Sequence, residues 1–110
     1  PGIIFHGQVE DPMEKLQNLD LLVVPSLSDS FPNTIMEALY LEIPVLGSRR
    51  GGIPEILEYE ELLFEPKVSS ICKRMATIID RNEWYSLKML CHLRREELSF
   101  DWIEEMRKLL

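Results

Sequence analysis

Hydrophobic residues in this chain alternate between short unbroken runs and stripes with helical spacing. The runs have the length and apolar character of strands that are covered on both faces of a parallel sheet. They are Ile3–Phe5, Leu21–Val24, Pro44–Leu46 and Leu62–Phe64. Between the runs, apolar residues recur at spacings of three and four, which is typical of amphipathic helices. This alternation predicts an α/β fold with a parallel sheet of about four strands and right-handed crossovers.

Capping and turn residues mark the helix boundaries. Asp11 is an N-cap candidate ahead of Pro12, which suits the first helical position. Gly51-Gly52 predicts a tight turn before a helix that carries Pro54 in its first turn. Three further helices are predicted, along Val68–Ile79, around Trp84–Cys91 and after an Asp101 cap.

The candidate chemistry lies where the second run leads into the next helix. Pro25 ends the run, and a polar loop from Ser26 to Asn33 precedes the helical pattern. A helix N-terminus at the carboxyl end of a parallel strand attracts anions, phosphate above all. Two carboxylates, Asp29 and Glu37, flank this junction, and carboxylates accept hydrogen bonds from hydroxyls. A diphosphate on N–H groups with sugar hydroxyls on carboxylates describes a nucleotide-sugar.

A dense motif surrounds the junction. It comprises Pro25-Ser26, Asp29-Ser30-Phe31-Pro32-Asn33, Glu37-Ala38, Pro44-Val45, Ser48, Gly51-Gly52 and Glu55. In type and spacing it resembles the retaining glycosyltransferases of family 4, which have the two-domain GT-B fold. The resemblance departs at Asp29, where the family usually has Glu, and at Pro32 and Glu42, where it usually has Gly. Arg49 stands where Asp is frequent. A left-handed backbone at Glu42 would carry strain of roughly 1 kcal/mol.

The resemblance implies a role for each part of the site. Glu37 would hold the ribose hydroxyls of the donor, and no residue is a convincing nucleophile or general base. Contacts to the donor sugar and phosphate are implied for Asp29, Ser30, Phe31, Pro32, Asn33 and Thr34. The stretch Phe5-His6-Gly7-Gln8-Val9 is similar to a family strand end, so Gly7, Gln8 and Val9 are implied as base-binding residues. The implied donor is a UDP- or GDP-sugar, used with retention and without a metal or other cofactor.

The resemblance covers residues 1–110 as a single, partial, Rossmann-like C-terminal domain of a GT-B enzyme. The family's first two strands, with a basic pair that neutralises diphosphate, and its N-terminal acceptor domain have no counterpart. Those strands would lie between Ile3–Phe5 and Leu21–Val24. Without them the two flanking strands would pair directly, recruit another chain such as a second copy, or leave an open sheet edge. We expect the chain alone to lack transferase activity. The implied location is the cytoplasm, or the inner membrane face through the parent enzyme.

Each assignment has a structural alternative. Asp29 could cap the following helix, Glu37 could complement the helix dipole, and Phe31 could pack the loop. Asn33 and Thr34 could serve as ordinary capping residues, and the Gly7–Val9 stretch could be a plain turn. Arg49 and Arg50 are expected to be solvated rather than a phosphate clamp. For the whole chain, the alternative function is a non-catalytic Rossmann-like fragment or interaction module.

The amino-acid composition argues against several classes of function. The chain has 110 residues with 19 acidic and 12 basic side chains, a net charge of −7, which argues against nucleic acid or anionic membranes as bulk partners. Cys72 and Cys91 stand alone in helical patterns and are expected to be reduced core thiols. His6 and His92 lack neighbours at metal-ligand spacing. No apolar run reaches the roughly 18 residues that a membrane span needs.

Overall fold

A computed structural model of the chain describes residues 2–5, 12–27, 33–98 and 108. Within these residues the three strands are parallel and follow the order β1-β2-β3, with helices packed around them. The elements are α1 (Pro12–Leu16), β1 (Leu22–Val24), α2 (Asn33–Tyr40), β2 (Val45–Ser48), α3 (Ile53–Leu57), a 3₁₀ turn (Glu60–Leu62), β3 (Leu63–Phe64), α4 (Val68–Ile78) and α5 (Arg81–Glu97). The predicted α/β class with a Rossmann-like parallel sheet is confirmed.

Strand β2 is the centre of the sheet. Val45 pairs with Leu22 of β1, and Gly47 pairs with Leu63 of β3. A Cβ added at Gly47 would lie 2.6 Å from Cγ2 of Ile53, so α3 packs directly on the β2 backbone. The apolar residues that are shielded from solvent lie in this strand or pack around it: Ile35, Ala38, Leu39, Val45, Leu46, Ile53, Leu57 and Leu62.

The first predicted strand is wrong. Residues 2–5 form no strand, and the side chains of Ile3, Ile4 and Phe5 are 78%, 77% and 94% exposed. A strand exists only when a neighbouring strand accepts and donates its backbone hydrogen bonds. In the described part of the chain the outer edge of β1 is open, but the run at Ile3–Phe5 does not pair with it. The described sheet therefore has three strands, not about four.

The boundaries of two other predicted strands are shifted, and one of the two predicted core cysteines is exposed. Strand β2 continues to Ser48, and Leu62 belongs to the 3₁₀ turn that precedes β3. Cys91 is buried as predicted, but Cys72 is exposed, so its assignment as a core thiol is wrong. A helical period cannot by itself tell the core-facing side of α4 from its solvent side. The predicted cap at Asp11 and the helix after Asp101, apart from Lys108, lie outside the described residues.

Helix α5 connects the other elements through its polar side chains. Asp80 caps it by accepting hydrogen bonds from the amides of Asn82 and Glu83. Near its other end, Arg94 Nε donates to the Ile56 carbonyl at the end of α3, and Arg95 Nε donates to the Tyr40 carbonyl at the end of α2. Cationic side chains on these carbonyls satisfy groups that a helix end leaves open.

Two backbone turns next to α5 have left-handed values of φ at non-glycine residues. Glu42, after α2, has φ of 60°, which confirms the strained turn predicted there, and Glu58, after α3, has φ of 61°. Each carboxylate pairs with α5, Glu42 with His92 and Glu58 with Arg94. In the described part of the chain, no helix is long and apolar enough to cross a membrane.

Candidate functional site

The candidate site lies at one end of the parallel sheet. Because β1, β2 and β3 run in the same direction, their carboxyl ends share one edge, and α2 begins at that edge. We call this region the carboxyl edge. It consists of Ser26, Ser48–Gly52, Glu65 and the first turn of α2.

Helix α2 positions Glu37. Its buried residues Ile35, Met36, Ala38 and Leu39 pack on the sheet and hold the helix in place. Glu37 lies among them and is half-buried, and burial raises the pKa of its carboxyl above the ordinary value. No cation is found close enough to the carboxylate to offset this burial within the described residues. Burial makes the charged form of this carboxyl less favourable, and a carboxylate can only accept hydrogen bonds.

Two donor-binding residues predicted from sequence, Asn33 and Thr34, form the exposed start of α2. Their position in the first helical turn agrees with a role for backbone N–H groups, and equally with ordinary capping. The other predicted residues lie outside the described residues, and their roles stay predictions. These are Asp29, Ser30, Phe31 and Pro32 for the sugar and phosphate, and Gly7, Gln8 and Val9 for the base.

A buried hydroxyl connects the ends of β1 and β2. The Ser48 side chain is shielded from solvent, and its Oγ donates to the Ser26 carbonyl at 2.5 Å. Ser26 lies two residues beyond β1, where the chain leaves the sheet toward α2. The sequence motif contains Ser48 but gives no indication of this contact, because its partner is 22 residues away.

An ion-pair network connects the ends of β2 and β3. The Arg49 guanidinium donates to Glu60 at 2.6 Å and to Glu65 at 3.2 Å, and Arg50 pairs with Glu65 at 3.3 Å. The hydrogen bond with Glu60 raises the pKa of Arg49, and the same bond lowers the pKa of the Glu60 carboxyl. Both arginines are therefore paired with carboxylates, and Arg49 pairs with Glu60 and with Glu65.

The Gly51-Gly52 turn completes this edge. Gly51 has φ of 57°, a left-handed value that glycine adopts without steric cost. The turn leads directly into α3, whose second residue is Pro54, so the predicted turn and helix start are confirmed.

Other features of the described residues lie away from this edge. They include no group of three or more His, Cys, Asp and Glu side chains arranged to hold a metal ion. A cavity of about 700 Å³ lies at the opposite end of the sheet, between α5 and the residues that precede β1 and β2. Trp84 contributes to its wall, with its indole N–H donating to the Asp20 carbonyl at 2.8 Å and Lys88 Nζ 5.2 Å from its ring.

Comparison with known proteins gives consistent relatives. The chain is 36% identical over 69 residues, 60% of its length, to the putative teichuronic acid biosynthesis glycosyltransferase TuaC of Bacillus subtilis, and covers 18% of that protein. It is 33% identical over 57 residues, 52% of its length, to the N-acetyl-alpha-D-glucosaminyl L-malate synthase of Bacillus anthracis, and covers 15% of it. It is 28% identical over 102 residues, 91% of its length, to the serotype-specific mannosyltransferase WbdA of Escherichia coli, and covers 12% of it.

The chain thus spans less than a fifth of the length of these curated relatives. Residues 1–81 match the model of a protein family described as glycosyl transferases group 1. The match includes every strand of the described sheet and the whole carboxyl edge. The chain therefore belongs to the glycosyl transferases group 1.

Proposed function

We propose that this chain is the nucleotide-sugar-binding part of a retaining glycosyltransferase of family 4 with the GT-B fold. The family match, the parallel sheet and the placement of α2 at the carboxyl edge support the proposal. In the parent enzyme a sugar would pass from a nucleoside diphosphate to an acceptor. The donor is a UDP- or GDP-sugar, and binding requires neither a metal ion nor another cofactor.

The observation that carries the proposal is the environment of Glu37. A carboxyl whose pKa is raised by burial alone destabilises the fold at neutral pH. Ligand hydroxyls would supply the missing hydrogen bonds, and vicinal ribose hydroxyls match the two oxygens of a carboxylate. We assign Glu37 to the ribose for this reason.

The remaining roles follow from the geometry of the carboxyl edge. Backbone N–H groups of Asn33 and Thr34, at the positive end of the α2 dipole, are assigned to the diphosphate. They would stabilise the charge that develops on the diphosphate as its bond to the anomeric carbon breaks. We assign Asp29 to hydroxyls of the transferred sugar, and Gly7, Gln8 and Val9 to the base.

The parent enzyme supplies the rest of the catalytic apparatus. Several times more chain is present in the curated relatives than here. We propose that further strands of the parent pair with the outer edge of β1, and that an additional domain binds the acceptor. The name of the Bacillus subtilis relative refers to teichuronic acid biosynthesis, and on that basis we place the parent in polysaccharide biosynthesis in the cytoplasm or at the inner membrane face.

Calorimetric titration of the 110-residue chain with UDP and with GDP tests the proposal. One of the two nucleotides should bind, and Glu37→Ala should weaken binding about tenfold, the scale expected when hydrogen bonds to a charged group are lost. Glu83→Ala is the matched control, because Glu83 is also a glutamate near the start of a helix but lies on α5, away from this edge. The control should leave the affinity unchanged.

Two results would count against the proposal. Binding of neither nucleotide would favour the alternative, a non-catalytic interaction module. Equal losses of affinity in Glu37→Ala and Glu83→Ala would show that the nucleotide does not contact α2. Sugar transfer by the 110-residue chain itself would contradict our expectation that it is inactive without the rest of the parent.

A further inference from the structure

The Ser48 hydroxyl extends the connection between β1 and β2 beyond their backbone pairing. The last paired residues of the two strands are Val24 and Gly47. Ser48 is the next residue of β2, and its Oγ reaches the carbonyl of Ser26, which lies two residues beyond the end of β1. A side chain thus makes a connection here that the main-chain ladder does not.

Burial makes this contact strong and specific. Ser48 has no solvent-exposed surface, so water cannot replace the hydroxyl as a partner for the Ser26 carbonyl from that side. On the opposite side of β2, the Arg49 amide donates to the Phe64 carbonyl at 2.8 Å. The end of β2 is therefore held to both neighbouring strands at successive residues.

The location of the contact gives it a functional consequence. Ser26 is the point from which the chain leads to α2, and Ser48 is followed by the segment that leads to the Gly51-Gly52 turn. This hydrogen bond thus adds a side-chain connection to the backbone pairing of Val24 with Gly47, at the two strand ends that precede α2 and α3. A ligand held at the start of α2 requires that these ends do not move apart.

We propose that Ser48 is a positioning residue for donor binding, which it serves by fixing the end of β1 through its hydrogen bond to the Ser26 carbonyl. The inference rests on the proposed function for its effect on nucleotide affinity. Its effect on the end of β1 stands independently of any ligand.

The test uses Ser48→Ala, Ser48→Thr and a matched control, Ile56→Val, measured on the 110-residue chain. Ile56 is buried in α3, so the control loosens the core without touching the hydrogen bond. Nitrogen-15 relaxation gives the backbone order parameters of Ser26 and Leu27, and calorimetry gives the affinity for whichever of UDP and GDP binds.

In Ser48→Ala we expect the order parameters at Ser26 and Leu27 to fall from about 0.85 toward about 0.6, the range of flexible backbone. Nucleotide affinity should fall about three- to tenfold, as expected for the loss of one hydrogen bond. Ser48→Thr keeps the hydroxyl and should retain more of both properties than Ser48→Ala, although its extra methyl group enters a buried site. Ile56→Val should change neither property.

Unchanged order parameters in folded Ser48→Ala, or an equal decrease in Ile56→Val, would overturn the positioning role. If the wild-type chain binds neither nucleotide, the proposed function fails, and with it the expected effect on affinity. The order parameters of Ser26 and Leu27 then decide whether Ser48 fixes the end of β1. If Ser48→Ala does not fold, Ser48→Cys takes its place, because a thiol of similar size is a weaker donor and should give an intermediate decrease. No decrease in Ser48→Cys would then reject the inference.

Discussion

Two regions of this molecule use arginine in different ways. At the end of α5, the Arg94 side chain is only 10% exposed and donates to the carbonyls of Ile56 and Glu55. At the carboxyl edge, the Arg49 side chain is 37% exposed and pairs with Glu60, which is 71% exposed. The first arginine completes the hydrogen bonding of a helix end inside the protein, whereas the second takes part in a network that solvent screens.

The two regions are therefore expected to contribute differently to the stability of the fold. The hydrogen bond from Arg94 to the Ile56 carbonyl is buried, so it is expected to stabilise the fold more than the exposed pairs of the carboxyl edge. The charges of the carboxyl edge are exposed, and Glu37 is destabilising where it stands. Residues that cost stability are common where a ligand is bound, since the ligand supplies the missing partners.

Of the substitutions proposed here, removal of the Arg94 side chain should lower the free energy of unfolding most. Arg94→Ala leaves two carbonyls of α3 without their donor and should lower the free energy of unfolding by about 2–4 kcal/mol. Arg49→Ala is the counterpart at the carboxyl edge and should change stability little, because its pairs are solvent-screened. Urea unfolding of both variants measures the contrast. Comparable losses would mean that the two regions do not differ as described.

Adding one methyl group at Gly47 should cause the next largest loss of stability. The new Cβ in Gly47→Ala would lie 2.6 Å from Ile53 and 2.9 Å from Leu57, so α3 must move, at about 1–3 kcal/mol. The double variant with Ile53→Ala makes room for the methyl group. Its loss in urea unfolding should be smaller than the sum of the two single losses. Strict additivity would contradict the close packing of α3 on β2.

Raising the pH should weaken the contact between α5 and β2. Burial raises the pKa of the Cys91 thiol to about 11, while in the unfolded chain it ionises near 9. Between these values the unfolded state binds fewer protons, so stability should fall by about 2 kcal/mol as the pH rises from 9 to 11. Unfolding measured across this range should lose that slope in Cys91→Ala and keep it in Cys72→Ala. A slope that survives in Cys91→Ala would assign it to another group.

Neutralising Glu37 should have the smallest effect, with the opposite sign. Its folded pKa lies above the unfolded value, so the carboxyl costs stability once the pH has risen through that folded value. Glu37→Gln should therefore raise the free energy of unfolding at pH 7, by at most about 0.5 kcal/mol because the group is partly solvated. Glu83→Gln serves as the control in urea unfolding. A loss of stability in Glu37→Gln would show that the carboxylate has a structural partner.

Local pattern was sufficient to predict most of the architecture. Strands β1 and β2 and helices α2, α4 and α5 follow from apolar spacing, and α3 follows from the Gly51-Gly52 turn and Pro54. The left-handed turn at Glu42 was suggested by the family resemblance, which has glycine at that position. The strand predicted at Ile3–Phe5 failed because pairing is a property of two segments, and this run does not pair with the open edge of β1. Sequence alone could not show that an apolar run would be left exposed.

The candidate site was predicted less completely. The place of Glu37 on a helix at the carboxyl edge was predicted, but its burial depends on how α2 packs. The pairing of Arg49 with Glu60 and Glu65 joins segments that are 11 and 16 residues apart. No local pattern in the sequence links Glu60 to the end of β2.

The left-handed turns at Glu42 and Glu58 have a consequence for how this chain could be redesigned. Substitution by glycine would relax the backbone at either position, because glycine adopts a positive φ without steric cost. It would also remove the carboxylate that holds His92 or Arg94, and with it a point where α5 is attached to the helix that ends there. The chain therefore retains a strained residue because its side chain reaches a second element, and engineering that considers only φ would loosen the helix that holds the domain together.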